Sequence, residues 1–191
     1  MTGPFTAILL AGGKSTRMGC DKAMLQLNGI PLLKWQSDKL HALGAAELLI
    51  SGFAREEFGD VQFIPDLYPN CGPLSGLHAC LKAADTPYCL VLSVDTPLVP
   101  LQTLRQLLAA HTGGVTVLHH ADRTEPLIGV YDSALAQNIE PFLQTGGAPV
   151  RVLRQICPWT ELEYDGPSEL LCNCNTPDEF AKLPAIAALH E

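Results

Sequence analysis

The segment Leu10-Ala11-Gly12-Gly13-Lys14-Ser15-Thr16-Arg17-Met18-Gly19-Cys20-Asp21-Lys22 follows the short apolar run that ends at Leu10. Glycines let a backbone approach a phosphate closely, because no Cβ intervenes and φ can be positive. Successive N–H groups in such a turn form a concavity for an anion. Arg17 adds a forked cation and Lys22 a point charge, both suited to an oxyanion chain. The spacing is neither G-x-x-x-x-G-K-[ST] nor G-x-G-x-x-G, so neither the P-loop nor the dinucleotide fingerprint applies. On residue types alone, the segment is a phosphate loop or an ordinary glycine turn.

Three further blocks carry groups with chemistry. Val91-Leu92-Ser93-Val94-Asp95-Thr96-Pro97 places a carboxylate directly after an apolar run, where a magnesium ligand belongs in an α/β nucleotide site. A helix cap before proline is the alternative for Asp95. Asp66 lies ahead of Gly72-Pro73-Leu74-Ser75-Gly76, which reads as a turn opening a helix. Thr176-Pro177-Asp178-Glu179 reads as a capping box, which leaves the neighbouring Asn173 and Asn175 unexplained. His119-His120 are a ligand pair or a solvated strand end. No Ser/His/Asp or Cys/His arrangement stands out, which suits direct displacement rather than a protein nucleophile.

The elements that must position these groups alternate. Strands are expected at Phe5–Leu10, Glu47–Ser51, Gln62–Pro65, Tyr88–Val94, Val115–His119 and Pro126–Tyr131. Helical patterns cover Pro31–Leu43, Leu74–Ala84, Leu101–His111, Ala134–Leu143, Val150–Gln155 and the tail from Thr176 to Leu189. Alternation of this kind predicts an α/β fold with a mostly parallel sheet and helices on both faces. Ligands in such sheets bind beyond the carboxyl ends of the strands.

Length and composition bound the rest. A chain of 191 residues, 47% hydrophobic and 17% charged, suits one domain, here residues 1–191. The net charge of −8 argues against charge-driven binding to nucleic acid or an anionic membrane. The seven cysteines include no C-x-x-C pair and read as reduced, mostly buried thiols of a cytoplasmic protein. Neither a signal peptide nor a transmembrane run is expected. Nothing in the pattern specifies an oligomeric state.

The loop in its L-A-G-G-x-S-x-R-M-G-x-D-K form resembles the signature of the nucleotidyltransferase superfamily that includes sugar-nucleotide pyrophosphorylases. Within it the loop is most similar to the molybdenum cofactor guanylyltransferases. Leu10, Ala11, Gly12, Gly13, Ser15, Arg17, Met18, Gly19, Asp21 and Lys22 match. So do Asp66, Gly72, Pro73, Leu74 and Gly76 in a D-…-G-P-L-x-G block, Asp95 in D-x-P, and Asn173 and Asn175 in N-x-N-T-P-x-[DE]. The resemblance implies a three-layer, Rossmann-like sheet of the nucleotide-diphospho-sugar transferase type. It implies GTP, Mg²⁺ (with Mn²⁺ as a substitute) and the phosphate of molybdopterin as acceptor. Arg17, Lys22 and Asp95 would be catalytic, with Asp95 on the metal. Leu10, Ala11, Gly12, Gly13, Lys22, Ser51, Gly52, Asp66, Gly72, Pro73, Leu74, Gly76 and Asp95 would surround the nucleotide. Asn173 and Asn175 would lie on the substrate or metal side.

One departure is visible: at Ser51-Gly52 the family often has an asparagine near the guanine. Arg123 and Thr124-Glu125-Pro126-Leu127 resemble a segment lining the acceptor pocket. Molybdoenzyme apoproteins or their chaperones are the implied partners. The competing readings are a molybdopterin cytidylyltransferase, whose loop usually reads L-A-A-G, a sugar- or polyol-phosphate nucleotidyltransferase, and a non-catalytic nucleotide-binding or cofactor-delivery module.

Overall fold

In the computed structural model, residues 3–12, 21–54, 58 and 61–189 are described. The apolar runs become β1 (Thr6–Leu10), β4 (Glu47–Ser51), β5 (Gln62–Ile64) and β6 (Tyr88–Ser93). Between β1 and β4 lie a small hairpin, β2 (Gln26–Leu27) and β3 (Ile30–Pro31), and helix α1 (Leu32–Ala42). Helix α2 (Pro73–Ala83) precedes β6 and α3 (Leu101–Ala110) follows it. The second half adds β7 (Val115–His120), β8 (Arg123–Asp132), α4 (Leu135–Gln144), β9 (Trp159–Glu163) and α5 (Pro177–Leu189). Short 3-10 turns cover Lys22–Met24, Val150–Gln155 and Ser168–Leu171.

Seven strands form one sheet in the order β5-β4-β1-β6-β8-β7-β9. β8 runs antiparallel to β6 and β7, and the other four adjacencies are parallel. The strands β1, β4 and β6 are nearly continuous apolar runs because both faces are covered. Their alternate residues feed two cores. Ala7, Leu9, Ile50, Leu90 and Leu92 pack with Leu33 and Leu40 of α1, Leu104 and Leu107 of α3, and Leu183 of α5. Ile8, Leu10, Leu49 and Val91 pack with Leu74, Leu77 and Leu81 of α2 and with Leu135 and Ile139 of α4. The result is the expected three-layer α/β architecture.

Several elements differ from expectation: the β2–β3 hairpin was not foreseen, Val150–Gln155 is a 3-10 turn, and β9 and β8 also depart. β9 was not foreseen, because Trp159-Thr160-Glu161-Leu162-Glu163 is a half-exposed edge strand with two acidic residues. β8 begins at Arg123, three residues ahead of the expected start at Pro126. Its pairing with β7 slips between Val117 and Leu118, from Gly129 to Glu125. That bulge frees Pro126, Leu127 and Ile128 from β7, and Ile128 pairs with Leu92 of β6 instead. Bulges bend a strand and re-aim its side chains. No helix of the described residues is long and apolar enough to cross a membrane.

Candidate functional site

The parallel strands β4, β1 and β6 end level with one another: Leu10 pairs with Ser51 on one side and with Ser93 on the other. The chain leaving each strand therefore arrives at one edge. Ala11 and Gly12 leave β1, Gly52 leaves β4, Asp66 follows β5, and Asp95 follows β6. Val94 N–H donates to Leu10 O at 3.0 Å, which carries the β1–β6 pairing one step further. Asp95 consequently sits beside the start of the glycine-rich segment.

Ser51 ties two of these exits together. Its Oγ accepts from the N–H of Ala11 at 3.3 Å and of Gly12 at 3.4 Å. Gly52 holds φ at +116°, and a Cβ there would stand 3.4 Å from Gly12 Cα. Gly76, in the first half of α2, closes the same corner: a Cβ on it would lie 3.0 Å from Ser51 Cβ and Oγ and 3.3 Å from Asp66 Oδ1. Gly12, Ser51, Gly52, Asp66 and Gly76 thus converge, although up to 64 residues separate them. Gly72, at φ +68°, turns the chain into Pro73 at the helix start. Desolvation by partial burial pushes the Asp66 carboxyl above its ordinary value. Leu10 and Leu74 are buried in the core, so their side chains support the pocket from beneath.

The second cluster surrounds Asp95. The Lys22 Nζ donates to Asn175 Oδ1 at 2.6 Å and lies 3.9 Å from Asp95 Oδ2. Lys22 is aimed by its own turn, where the Asp21 carboxylate accepts from Ala23 N–H at 3.1 Å. On the other side, Cys174 N–H donates to Asp95 O at 2.8 Å, which pins Asn173 and Asn175 against the Asp95 turn. The capping box is present as expected. The Glu179 carboxylate accepts from the N–H groups of Asn175 and Thr176, and Thr176 Oγ1 accepts from Glu179 N–H. Those donors, led by Asn175 N–H, hold Glu179 below the usual carboxylate range. Capping and site construction are therefore one device: the box that starts α5 also fixes the backbone of Asn175.

One acidic group near this cluster was noted in sequence only as part of a lining segment. Glu125 sits on the β8 bulge, half-buried, with the Arg123 guanidinium 3.5 Å away. Burial raises its carboxyl, the negative charge of Asp95 raises it further, and Arg123 opposes both. The signal was the proline after it, which cannot donate to a ladder and so marks an irregular strand.

Other candidates lie elsewhere. His119 Nδ1 meets Glu163 at 2.7 Å and His120 Nδ1 meets Tyr164 O at 2.8 Å, so both histidines tie β7 to the β9 segment. The described cysteines are free thiols, Cys80, Cys89 and Cys174 buried among them. Burial pushes Cys89 and Cys174 up to about 11, which leaves them protonated and unreactive at neutral pH. Gly13, Arg17 and the rest of 13–20 lie outside the described residues. Among the described residues there is no cluster of three or more metal-ligating side chains. Mg²⁺ does not require one. It commonly takes one or two carboxylates and completes its shell with water and substrate phosphates. Asp95 presents a carboxylate, a hard oxygen donor, beside the chain leaving β1.

Comparison with known proteins places the chain in a family. Residues 7–160 match the MobA-like NTP transferase domain family. A molybdenum cofactor guanylyltransferase from Xanthomonas euvesicatoria is 33% identical, with 94% of each chain covered. One from Vibrio cholerae is 30% identical over 94% of this chain and 91% of its own. The crystal structure of molybdopterin-guanine dinucleotide biosynthesis protein A from Archaeoglobus fulgidus superposes with a TM-score of 0.78, at 23% identity, covering 97% of this chain and 100% of that one.

Proposed function

Because the chain belongs to the MobA-like NTP transferase family, we propose that it transfers GMP from GTP to the phosphate of molybdenum-bearing molybdopterin, releasing pyrophosphate and forming molybdopterin guanine dinucleotide. The observation that carries the reading is the convergence of Asp95, Lys22 and Asn175 beside the Gly12–Ser51–Gly52 edge. A carboxylate and a cation side by side at that edge are the groups a metal-bound triphosphate needs, which supports the reading.

An oxygen of the acceptor phosphate attacks the α-phosphorus of GTP. The new P–O bond forms as the bond to the pyrophosphate oxygen breaks. The attacking group is already anionic, so no strong general base is required. Alignment and charge stabilisation supply the rate. The glycine-rich segment takes the phosphate chain, with Ser51 Oγ holding the N–H groups of Ala11 and Gly12 at its start. Lys22, anchored on Asn175, neutralises charge that grows as pyrophosphate departs. Arg17 has the same assigned role. Removing either cation raises the barrier on the order of 3 kcal/mol, by analogy with a lost oxyanion-hole donor. Gly76 and Gly72-Pro73 shape the nucleoside side, together with Asp66. Mg²⁺ or Mn²⁺ held by Asp95 would screen the two anions from each other and polarise the phosphates. A cytoplasmic setting, with product passed to molybdoenzyme apoproteins or their chaperones, belongs to the same reading. The free buried thiols support the cytoplasmic setting.

The test is a nucleotide panel with Mg²⁺ and freshly prepared molybdopterin, following pyrophosphate. GTP is expected to support release and to raise the melting temperature. Ligand at about 100 times its Kd stabilises by about 2.7 kcal/mol. Preferential release with CTP overturns the guanylyl assignment, and GTP binding without release overturns the transferase.

A further inference from the structure

Helix α1 lies outside the groups assigned above, yet one of its side chains reaches the turn that carries Asp95. Gln36 is fully buried. Its Nε2 donates to Ser93 O and to Thr96 O, each at 3.0 Å. Those two carbonyls bracket Asp95, one ending β6 and the other just after the carboxylate. Two carbonyl acceptors demand the two N–H bonds of an amide nitrogen, so the orientation of the amide is decided by the turn. The consequence is costly to the fold. Gln36 Oε1 faces the other way, buried, with no hydrogen-bond partner among the described residues. A buried acceptor left unpaired destabilises a protein, and an apolar side chain would avoid that orphan only by withdrawing the donor from Ser93 O and Thr96 O. Packing alone does not account for an amide here.

The neighbouring donors act on the same stretch. Trp35 Nε1 donates to Pro97 O at 3.1 Å. Lys39 Nζ, one turn along, donates to Pro97 O and, at 2.9 Å, to Val99 O. Inside the turn, Ser93 O also accepts from Thr96 N–H and Thr96 Oγ1. At its other end α1 is tied to the lysine arm: Leu32 N–H donates to Leu25 O at 2.8 Å, directly after the 3-10 turn that carries Lys22. One rigid helix therefore references both members of the Lys22–Asp95 pair.

We propose that Gln36 is a positioning residue for nucleotidyl transfer, holding the carbonyls of Ser93 and Thr96 so that the Asp95 carboxylate points at the phosphate edge. The inference rests on the transferase reading given above. Displacing a catalytic group by about 1 Å costs on the order of 100-fold in rate. In Gln36→Leu, which removes the two donors and the orphaned acceptor together, kcat falls about 100-fold while the KM for GTP stays near that of the unaltered protein, a loss far larger than any accompanying drop in melting temperature accounts for. Gln36→Met, unbranched and of similar length, is the companion should leucine prevent folding. A readout apart from turnover is Mn²⁺ affinity in the presence of GTP, measured by electron paramagnetic resonance. It weakens about tenfold, as for other residues that orient a metal ligand.

The proposal is overturned if a folded Gln36 variant keeps both the kcat and the Mn²⁺ affinity of the unaltered protein. It is also overturned if turnover drops only in step with melting temperature, the mark of a purely structural role. The unaltered protein in the same assay separates the two readings. Its failure to release pyrophosphate refutes the transferase, while the Mn²⁺ comparison still reports whether Gln36 aims Asp95.

Discussion

Gly76 shows how little space the corner between Ser51 and Asp66 has to spare. It lies within α2, where alanine suits the backbone better than glycine. Its neighbours reverse that preference, since a methyl group would press on Ser51 Cβ and Oγ and on Asp66 Oδ1 at 3.0–3.3 Å. Ser51 cannot retreat without releasing the N–H groups of Ala11 and Gly12. Gly76→Ala is therefore expected to weaken GTP binding about tenfold, a difference of about 1.4 kcal/mol, with overpacking costing about 1–3 kcal/mol of stability. Calorimetric titration with GTP, beside urea unfolding, checks both. Unchanged GTP affinity would mean that this corner does not touch the nucleotide. Asp95, Lys22 and Asn175 differ in kind: their worth lies in the charges and donors they bring together, not in shape.

Among the elements, α1 does the most to connect the site. One of its lysines, Lys39, is held under the 97–99 carbonyls, and desolvation lowers its ammonium from 10.5 to about 7. Between those two values the unfolded chain binds a proton that the folded chain has released. Stability attributable to Lys39 therefore rises with pH across that window, by at most about 1.4 kcal/mol per pH unit, and is lost as pH falls towards 7. Lys39→Met abolishes the dependence. Urea unfolding of both proteins at neutral and mildly alkaline pH should show the unaltered chain gaining on the variant as pH rises; a constant gap would refute the burial of an uncharged amine.

Two other elements show where local signals go unread. Asn28-Gly29, with φ of 50° and 80°, is the two-residue turn that suits a β-hairpin, and it joins β2 to β3. With strands only two residues long, no alternation announces it. β9 is held by its ladder with β7 and by contacts such as His119–Glu163, not by apolar patterning.

At the scale of the molecule, the antiparallel β8 joins the parallel strands β5, β4, β1 and β6 to the distal β7–β9 pair. Gly129 is where it must pass closest to its neighbour. A Cβ there would meet Thr116 O at 2.6 Å and Val117 Cα at 3.1 Å, both backbone atoms that cannot swing aside. Gly129→Ala is expected to cost about 3 kcal/mol, at the upper end of overpacking effects. The urea midpoint should fall with little change in slope. A midpoint like that of the unaltered protein would show that the β7–β8 ladder can part without cost.

The sequence by itself determined the layered α/β class, nearly every helix, and the blocks around Gly12, Asp66, Asp95 and Asn175. These are local properties: apolar periodicity, turn residues and caps act over a few neighbouring positions. Even the capping box at Thr176–Glu179 was legible in this way. Only the tertiary structure decided which blocks meet. Ser51 bridges to the β1 exit, Lys22 reaches Asn175 across 153 positions, and Gln36 reaches around Asp95. Such contacts depend on strand order and register, which no short window of sequence encodes. The β8 bulge that sets Glu125 near Asp95 belongs with them, because a slip in pairing exists only once two strands have found each other.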